Sequence, residues 1–218
     1  MRGVYLVTDR SLCLNRTISD IVLQAVQGGV SYVQLREKDI TTRLFVEEAR
    51  AIKKILKPHN VPLIINDRID VALACGAEGV HIGQDDMPYA IARKLMGAKA
   101  IIGVSVETWA DVEESQKLYV DYIGVSPIFP TPTKTDTKGA WGLEGLAKIK
   151  ALSRHSLVAI GGINESNATD VIAAGADCIA VVSAICAAAD PAVATRNLKS
   201  IIDAVRNKNS IIDKHNSS

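Results

Sequence analysis

The sequence has almost no net charge. Across 218 residues, 25 lysines and arginines balance 24 aspartates and glutamates, so the formal net charge is +1. Proteins that bind nucleic acid or an anionic membrane surface usually carry a basic excess, so we expect neither partner. Any affinity for phosphate must therefore come from a few locally placed groups.

The sequence also lacks the marks of an exported or disulfide-rich protein. The first apolar run, Val4–Val7, is too short for a signal peptide or a membrane span. The four cysteines form no CxxC pair and stand mostly among apolar neighbours, at Cys13, Cys75, Cys178 and Cys186. Disulfides and zinc sites are therefore disfavoured, and we expect a cytoplasmic protein with small buried thiols.

Hydrophobic residues make up 48% of the chain, enough for a large core. Apolar runs of strand length alternate with segments of helical periodicity, such as Phe45, Ala49, Ile52 and Leu56. The predicted strands are Val4–Val7, Tyr32–Leu35, Leu63–Ile65, Gly79–Ile82, Ala100–Val104, Tyr122–Val125, Leu157–Ile160 and Cys178–Val182.

One turn is repeated between predicted helices and strands. "AVQGGVSYV", "LACGAEGV" and "IAAGADCI" each join a helix end to a strand through a glycine, at Gly29, Gly76 and Gly175. Glycine tolerates the left-handed backbone that stops a helix. The alternation predicts a single α/β domain, a (β/α)8 TIM barrel over residues 1–207, with its active site at the C-terminal ends of the strands. A polar tail, residues 208–218, is expected to fray. A doubly wound open sheet is the alternative, but it would more often show a GxGxxG turn after the first strand, which is absent.

Polar groups follow nearly every predicted strand. Because the C-terminal ends of barrel strands share one rim, these groups should meet at one mouth. They are Arg36-Glu37-Lys38-Asp39, Asn66-Asp67-Arg68, Gly83-Gln84-Asp85-Asp86, Ser105, the loop 130–134, Gly161-Gly162 and Ser183.

Two aspartates of this mouth, Asp67 and one of the Asp85-Asp86 pair, have two interpretations. Neighbouring carboxylates repel unless a proton or cation lies between them, and Mg²⁺ typically takes one or two carboxylates together with water and phosphate oxygens. Alternatively, the acids cap the following helices or pair with Arg68 and Arg93. Spacing alone leaves both interpretations open.

The glycines of "AIGGIN" let backbone N–H groups approach an anion, and barrels often bind phosphate after strands seven and eight. A Gly-Gly pair can also be simply a tight turn. His81, inside an apolar run, is interpreted as a hydrogen-bonded core histidine. The sequence shows no nucleophile with a matched base.

These residues occur in motifs that resemble the thiamine-phosphate synthase (thiamine-phosphate pyrophosphorylase) family. The motifs follow the family's order from Tyr5 to about Ile185, and they are "YLVTD", "QLREKD", "IINDRIDVAL", "GVHIGQDD", "IGVS", "GVSPIFPTPTKT", "GLEGL", "AIGGIN" and "AVVSAI". The resemblance implies condensation of 4-amino-2-methyl-5-hydroxymethylpyrimidine diphosphate with a thiazole phosphate, or its carboxylated form. The products are thiamine phosphate and pyrophosphate. The implied mechanism is dissociative and assisted by Mg²⁺, and the implied partners are small molecules; a homo-oligomer is left open.

The resemblance also implies a role for particular residues. The pyrimidine diphosphate would contact Gln34, Leu35, Arg36, Glu37, Lys38, Asn66, Ser105 and Lys134. Catalytic roles would belong to Arg36, Lys38, Ser105 and Lys134. The thiazole phosphate would contact Thr131, Pro132, Thr133, Gly162, Val182 and Ser183. The ligands of Mg²⁺ would be Asp67 and Asp86. The segment Pro130–Lys138 is expected to close as a lid, although "TDTKGAW" departs from a family pattern that more often has proline there.

Three other functions would suit such a barrel. A thiazole tautomerase would need no grip on a diphosphate, so "REK", both aspartates and "TPTK" argue against it. A phosphosugar isomerase would need a general acid and base facing each other, and the rim offers carboxylates without a convincing partner. A non-enzymatic sensor or carrier of thiamine precursors could have lost Asp67, Asp86 or Lys134, and all three are present.

Overall fold

The structure, a computed structural model, describes residues 1–131 and 139–216, with side chains up to residue 208. Its strands form a closed parallel barrel in which each strand pairs with its neighbours in chain order. They are β1 Gly3–Val7, β2 Tyr32–Leu35, β3 Leu63–Asn66, β4 Gly79–Ile82, β5 Ile101–Val106, β6 Tyr122–Val125, β7 Ser156–Ile160 and β8 Cys178–Val181. The predicted TIM barrel is confirmed.

Helices follow the strands and form the outer layer. They are α1 Ile18–Gln27, α2 Thr42–Leu56, α3 Ile69–Cys75, α4 Tyr89–Met96, α5 Trp109–Ser115, α6 Gly142–Leu152, α7 Ala168–Ala173, α8 Ser183–Cys186 and α9 Pro191–Asn216, with short 3₁₀ helices at Arg10–Leu12 and Lys57–His59. Helix α9 continues past Asn207, where the sequence predicted the end of the barrel domain; that the tail frays stays a prediction. In the described ranges, no helix combines the length and hydrophobicity needed to cross a membrane.

The alternation of side chains along each strand produces two apolar layers. Val4 and Leu6 of β1 belong to the large cluster between the sheet and the helices. Tyr5 and Val7, the alternate residues, belong to a second cluster inside the barrel. This period of two is what a strand dictates, and it decides which residue of each motif faces the interior.

The repeated turn glycines adopt the backbone conformation that the sequence predicted. Gly29, Gly76 and Gly175 have φ values of 88°, 65° and 110°. A residue with a Cβ is strained in this region. The turns therefore end three helices at the same place relative to the following strands.

A repeated acidic residue ties the N-terminal end of the barrel. An acid stands directly before β4, β6 and β8, at Glu78, Asp121 and Asp177. Each carboxylate accepts, at 2.9 Å, the backbone N–H of a residue in the preceding strand, from Leu63, Ile102 and Leu157 respectively. Each also pairs with a cation of the helix that leads into that preceding strand, namely Lys53 of α2, Arg93 of α4 and Lys150 of α6. Helix, strand and turn are thus joined three times by one arrangement.

All four cysteines are free thiols. Cys13, Cys178 and Cys186 are buried and Cys75 is half-buried, which agrees with their interpretation as small core residues.

Candidate active site

A cavity of about 410 Å³ opens at the C-terminal ends of the strands. Residues from loops far apart in the chain line it, as expected for this fold. The predicted site residues that line it are Gln34, Arg36, Lys38, Asn66, Asp67, Asp86, Ser105, Thr131, Gly162, Val182 and Ser183.

Two predicted contacts are not brought to this cavity. Leu35 points outward into the core beneath the helices, because it alternates with Gln34 along β2. The Glu37 side chain is 4% exposed and pairs with Arg10 at 3.0 Å, and Arg10 also pairs with Glu48 of α2 at 2.6 Å. The Glu37 side chain therefore anchors the loop after β2 and does not line the cavity.

Three further predictions, Pro132, Thr133 and Lys134, lie outside the described residues. The same is true of most of the segment predicted to close as a lid.

The cations of the cavity are placed by the loops after β1 and β2. The backbone N–H of Arg36 donates to Oγ1 of Thr8 at 3.0 Å, which fixes the start of the loop. The guanidinium of Arg36 lies 4.0 Å from Asp9. Nζ of Lys38 donates to Oδ2 of Asp67 at 2.5 Å, and its side chain is 51% exposed. Because the side chain is half-exposed, Lys38 can leave the Asp67 carboxylate and bind a ligand at a small free-energy cost of desolvation.

The two predicted metal-ligand acids share one corner of the mouth. Asp67 has a left-handed backbone, with φ of 60°, and its N–H donates to the carbonyl of His81 at 2.8 Å. Oδ2 of Asp86 accepts the N–H of Gly83 at 2.7 Å. Burial raises the pKa of Asp86, and contact with the Asp67 carboxyl raises it further. The two acids are thus close enough to compete for one proton or one cation.

The alternative interpretation of these acids does not match the structure. Helices α3 and α4 have Arg68 and Pro88 at their N-caps, so neither acid caps a following helix. Arg68 pairs with Asp70, and Arg93 with Asp121.

A two-carboxylate site suits Mg²⁺ better than a transition metal. Within the described ranges, no three His, Cys, Asp or Glu side chains form a group that could hold a metal ion. Mg²⁺ needs only one or two carboxylates, because water and substrate phosphate complete its shell. Asp67 and Asp86 fit that requirement.

The opposite side of the mouth is made of glycines and backbone. Gly161 and Gly162 have φ values of 103° and 66°. A Cβ on Gly161 would lie 2.6 Å from Cβ of Pro127, and one on Gly162 would lie 2.8 Å from Cβ of Phe129. A side chain fits at neither position, so the turn after β7 presents backbone groups to the cavity. Helix α8 begins at Ser183, with one residue between it and the end of β8, and its first N–H groups have no acceptor within the helix.

Several lining residues were not assigned a role from the sequence. Thr8 and Asp9 directly follow β1 in "YLVTD", a motif that the resemblance included without a role for either residue. Tyr5, Tyr122 and His81 form the floor. His81 is hydrogen-bonded, as expected, but it lies at the cavity and not in the core. Its Nε2 lies 2.8 Å from Oγ of Ser105, a contact between distant strands that no local pattern signals.

With this geometry in place, comparison with known proteins decides the family. The sequence profile described as thiamine monophosphate synthase matches residues 4–185. The chain belongs to this family. It is 59% identical over 202 residues to the thiamine-phosphate synthase of Albidiferax ferrireducens, covering 93% of this chain and 92% of the relative. It is 55% identical over 203 residues to that of Leptospira biflexa, covering 91% and 97%.

Solved structures of the thiamine monophosphate synthase family agree. The thiamine phosphate pyrophosphorylase of Pyrococcus furiosus is 37% identical, with a TM-score of 0.86, and the match covers 93% of this chain and 96% of that one. A 3-hexulose-6-phosphate synthase, 18% identical with a TM-score of 0.65 over 92% of this chain and 99% of that one, shows only that the barrel is shared. The family resemblance seen in the motifs is confirmed. The activity of the chain is that of a thiamine-phosphate synthase, which is a transferase.

Proposed function

We propose that the protein joins 4-amino-2-methyl-5-hydroxymethylpyrimidine diphosphate to 4-methyl-5-(2-phosphoethyl)thiazole, or its carboxylated form, and releases pyrophosphate. One observation carries the proposal: Arg36, Lys38, Asp67 and Asp86, from three different loops, line one cavity whose far side is the glycine turn at Gly162. The cavity thus has a charged side for a diphosphate and a backbone side for a monophosphate.

The charged side would bind the pyrimidine diphosphate. Arg36 and Lys38 are the described cations that line it, and charge-assisted hydrogen bonds to phosphate are the strongest such groups make. Asp67 and Asp86 would hold Mg²⁺. When bound there, the ion would offset negative charge on the diphosphate and orient it. Asn66 and Ser105 add neutral hydrogen-bonding groups beside these charges.

The backbone side would bind the thiazole phosphate. The turn at Gly161–Gly162 and the start of α8 at Ser183 face the same cavity. Both present backbone N–H groups that suit a phosphate, in the position where barrels of this kind often bind one. Thr131 lines the cavity between the two sides.

A dissociative substitution suits these groups. The diphosphate leaves with the bonding electrons, a resonance-stabilised pyrimidine methyl cation remains, and the thiazole nitrogen supplies the electron pair of the new C–N bond. Arg36 and Lys38 stabilise the charge that develops on the leaving group, and the walls hold the two substrates in line. Apolar side chains of Val158, Ile160 and Ala180 line the cavity and limit the water available to capture the cation.

The direct test is incubation of the purified protein with both substrates and Mg²⁺. We expect equal amounts of thiamine phosphate and pyrophosphate, and no product when either substrate or Mg²⁺ is omitted. Pyrophosphate release without thiamine phosphate would show hydrolysis in place of condensation. Absence of both products would refute the proposed reaction.

A further inference from the structure

We propose that Arg16 is a positioning residue for the thiazole phosphate, because it fixes the segment after β8 to which that ligand would bind. Arg16 is not among the described residues that line the cavity, and it acts through Val182 and Ser183, which do line it. The inference rests on the proposed function, since it concerns how the backbone side of that site is held in place.

The guanidinium of Arg16 binds the end of helix α8 and the turn that follows it. Nη2 donates to the carbonyl of Cys186 at 3.2 Å and to that of Ala188 at 2.7 Å, and Nη1 donates to the carbonyl of Ala189 at 3.3 Å. The last carbonyls of a helix have no partner within it, and arginine is one of the side chains that can bind them. A loop 170 residues earlier in the chain thus closes the C-terminal end of α8.

A short path of hydrogen bonds joins this contact to the cavity. The N–H of Cys186, whose carbonyl Arg16 binds, donates to the carbonyl of Val182 at 2.9 Å. The N–H of Ala187 donates to the carbonyl of Ser183 at 3.0 Å. Because α8 is about one turn long, its C-terminal end cannot move without displacing Val182 and Ser183.

Arg16 is itself held in place by the start of helix α1. Its N–H donates to the carbonyl of Cys13 at 3.1 Å. The next residue, Thr17, caps α1 by a reciprocal pair of hydrogen bonds with Asp20. Oγ1 of Thr17 accepts the N–H of Asp20 at 3.1 Å, and the Asp20 carboxylate accepts the N–H of Thr17 at 3.0 Å. The backbone of Arg16 is therefore fixed, and its half-buried side chain spans from α1 to α8.

Another contact of α8 with the loop side of the barrel is much weaker. Sγ of Cys186 lies 3.8 Å from the carbonyl oxygen of Val7, and a thiol is a weak donor. Arg16 carries a full charge and donates three hydrogen bonds, and hydrogen bonds from charged donors are about twice as strong as neutral ones. Loss of Arg16 should therefore loosen this segment, while Ile185 stays packed in the apolar core.

The other wall of the phosphate site has contacts of its own. Nδ2 of Asn167 donates to the carbonyl of Gly162 at 2.9 Å, and the N–H of Phe129 donates to the carbonyl of Gly161 at 3.1 Å. The groups proposed to bind the diphosphate lie on the loops after β2, β3 and β4. Loss of Arg16 should therefore weaken binding of the thiazole phosphate and spare that of the pyrimidine diphosphate.

The first test is steady-state kinetics of Arg16→Ala with each substrate varied in turn. We expect the KM of the thiazole phosphate to rise by ~10-fold or more, because charge-assisted hydrogen bonds are lost and a small displacement of binding groups is costly. The KM of the pyrimidine diphosphate should stay within about twofold of the wild-type value. An unchanged KM for the thiazole phosphate, or equal rises for both substrates, would overturn the proposal.

The matched control is Arg206→Ala. Nη2 of Arg206 donates to the carbonyl of Asp177, directly before β8 and therefore at the end of the barrel opposite the cavity. Both variants lose an arginine bound to backbone near the same strand, so both should unfold at a lower urea concentration. Arg206→Ala should leave both KM values unchanged. An equal rise in the KM of the thiazole phosphate in both variants would show a general loss of stability and would overturn the proposal.

Methylguanidinium provides a measurement that loss of stability alone would not change. In Arg16→Ala this ion can occupy the space of the missing side chain and bind the same carbonyls, so the KM of the thiazole phosphate should fall toward the wild-type value. Absence of rescue would overturn the assignment to these hydrogen bonds. If Arg16→Ala does not fold, Arg16→Lys replaces it in the kinetic test. Its ammonium cannot reproduce the planar fork, so the same difference between the two substrates is expected.

Hydrogen exchange separates this inference from the proposed reaction. We would follow amide exchange by mass spectrometry in wild type and Arg16→Ala. Exchange in residues 182–189 should become ~10-fold faster or more, because local opening becomes easier, whereas residues 161–167 should not change. Equal exchange of residues 182–189 in the two proteins would overturn the proposal. If the wild type makes no thiamine phosphate, the proposed reaction fails, and exchange still decides whether Arg16 holds this segment.

Discussion

Arg36, Glu37 and Lys38 are consecutive charged residues whose side chains point in two different directions. Arg36 and Lys38 line the cavity, whereas Glu37 turns away to Arg10. The pattern continues the alternation of β2 for a few residues beyond its end. A run of charges that resembles one binding motif thus consists of two cavity-lining cations separated by an acid that anchors the loop.

We expect Arg36→Ala to raise the KM for the pyrimidine diphosphate by roughly 10–100-fold, since a hydrogen bond to a charged group contributes about 1.5–3 kcal/mol. The KM for the thiazole phosphate should change by less than about twofold, because Arg36 lies on the other side of the mouth. Steady-state kinetics with each substrate varied in turn will measure both. Arg43→Ala, an exposed arginine of α2, is the control. Equal losses for the two substrates would contradict this division of the mouth.

The acids of the mouth give a second expectation. Asp67→Asn and Asp86→Ala should each reduce turnover by ~100-fold or more at ordinary Mg²⁺, because a bound metal supplies several kcal/mol of charge stabilisation. Asn is chosen at position 67 because it tolerates the left-handed backbone found there. Turnover would be measured over a titration of Mg²⁺.

Asp85→Ala is the matched control for the acids, because Asp85 also lines the cavity but the family motif does not make it a ligand. It should keep most activity. Normal turnover of both Asp67→Asn and Asp86→Ala at low Mg²⁺ would remove the metal assignment.

At the scale of elements, the acid before β4, β6 and β8 is a stabilising unit at the end of the barrel opposite the site. Each carboxylate accepts a hydrogen bond from a strand N–H that has no partner in the sheet. Each also forms an ion pair with a cation of a helix. In a TIM barrel, catalysis takes place at the C-terminal ends of the strands, whereas residues at the opposite end contribute to stability.

Asp121→Ala should lower the free energy of unfolding by about 1–3 kcal/mol, because it leaves the Ile102 N–H without its acceptor and removes the carboxylate that pairs with Arg93. Urea denaturation will measure the loss, and activity per folded molecule should not change. Asp203→Ala removes an exposed helical pair with Lys199 and should cost less than ~1 kcal/mol. Similar losses in the two variants would show that the arrangement adds no stability.

At the scale of the molecule, the site exists only when the barrel is closed. The groups proposed to bind the diphosphate come from β2, β3, β4 and β5 and their loops, and they meet at one cavity. A ligand of that cavity should therefore bind the folded state alone.

We expect pyrophosphate with Mg²⁺ to raise the free energy of unfolding by ~2.7 kcal/mol at a hundred times its Kd. Thermal or urea unfolding with and without the ligands will measure it. Asp86→Ala should lose the Mg²⁺-dependent part of the stabilisation. An equal effect of pyrophosphate with and without Mg²⁺ would contradict joint binding.

Local pattern was enough to predict the strands, the closed barrel, the turn glycines and a group of polar residues that line the cavity just after the strand ends. These features depend on the period of apolar residues and on the backbone freedom of glycine, which short stretches of sequence carry. The motif residues Gln34, Arg36 and Asp86 reach the mouth because they stand at or just after strand ends.

The tertiary structure alone decided which of the alternating residues of β2 face the cavity, that Asp67 and Asp86 share a corner, and that Tyr5 meets Tyr122 across the barrel. The two tyrosines are 117 residues apart in the chain. Their contact depends on how the sheet closes and on the absence of a side chain at Gly103, two properties of the assembled barrel that no local sequence period encodes.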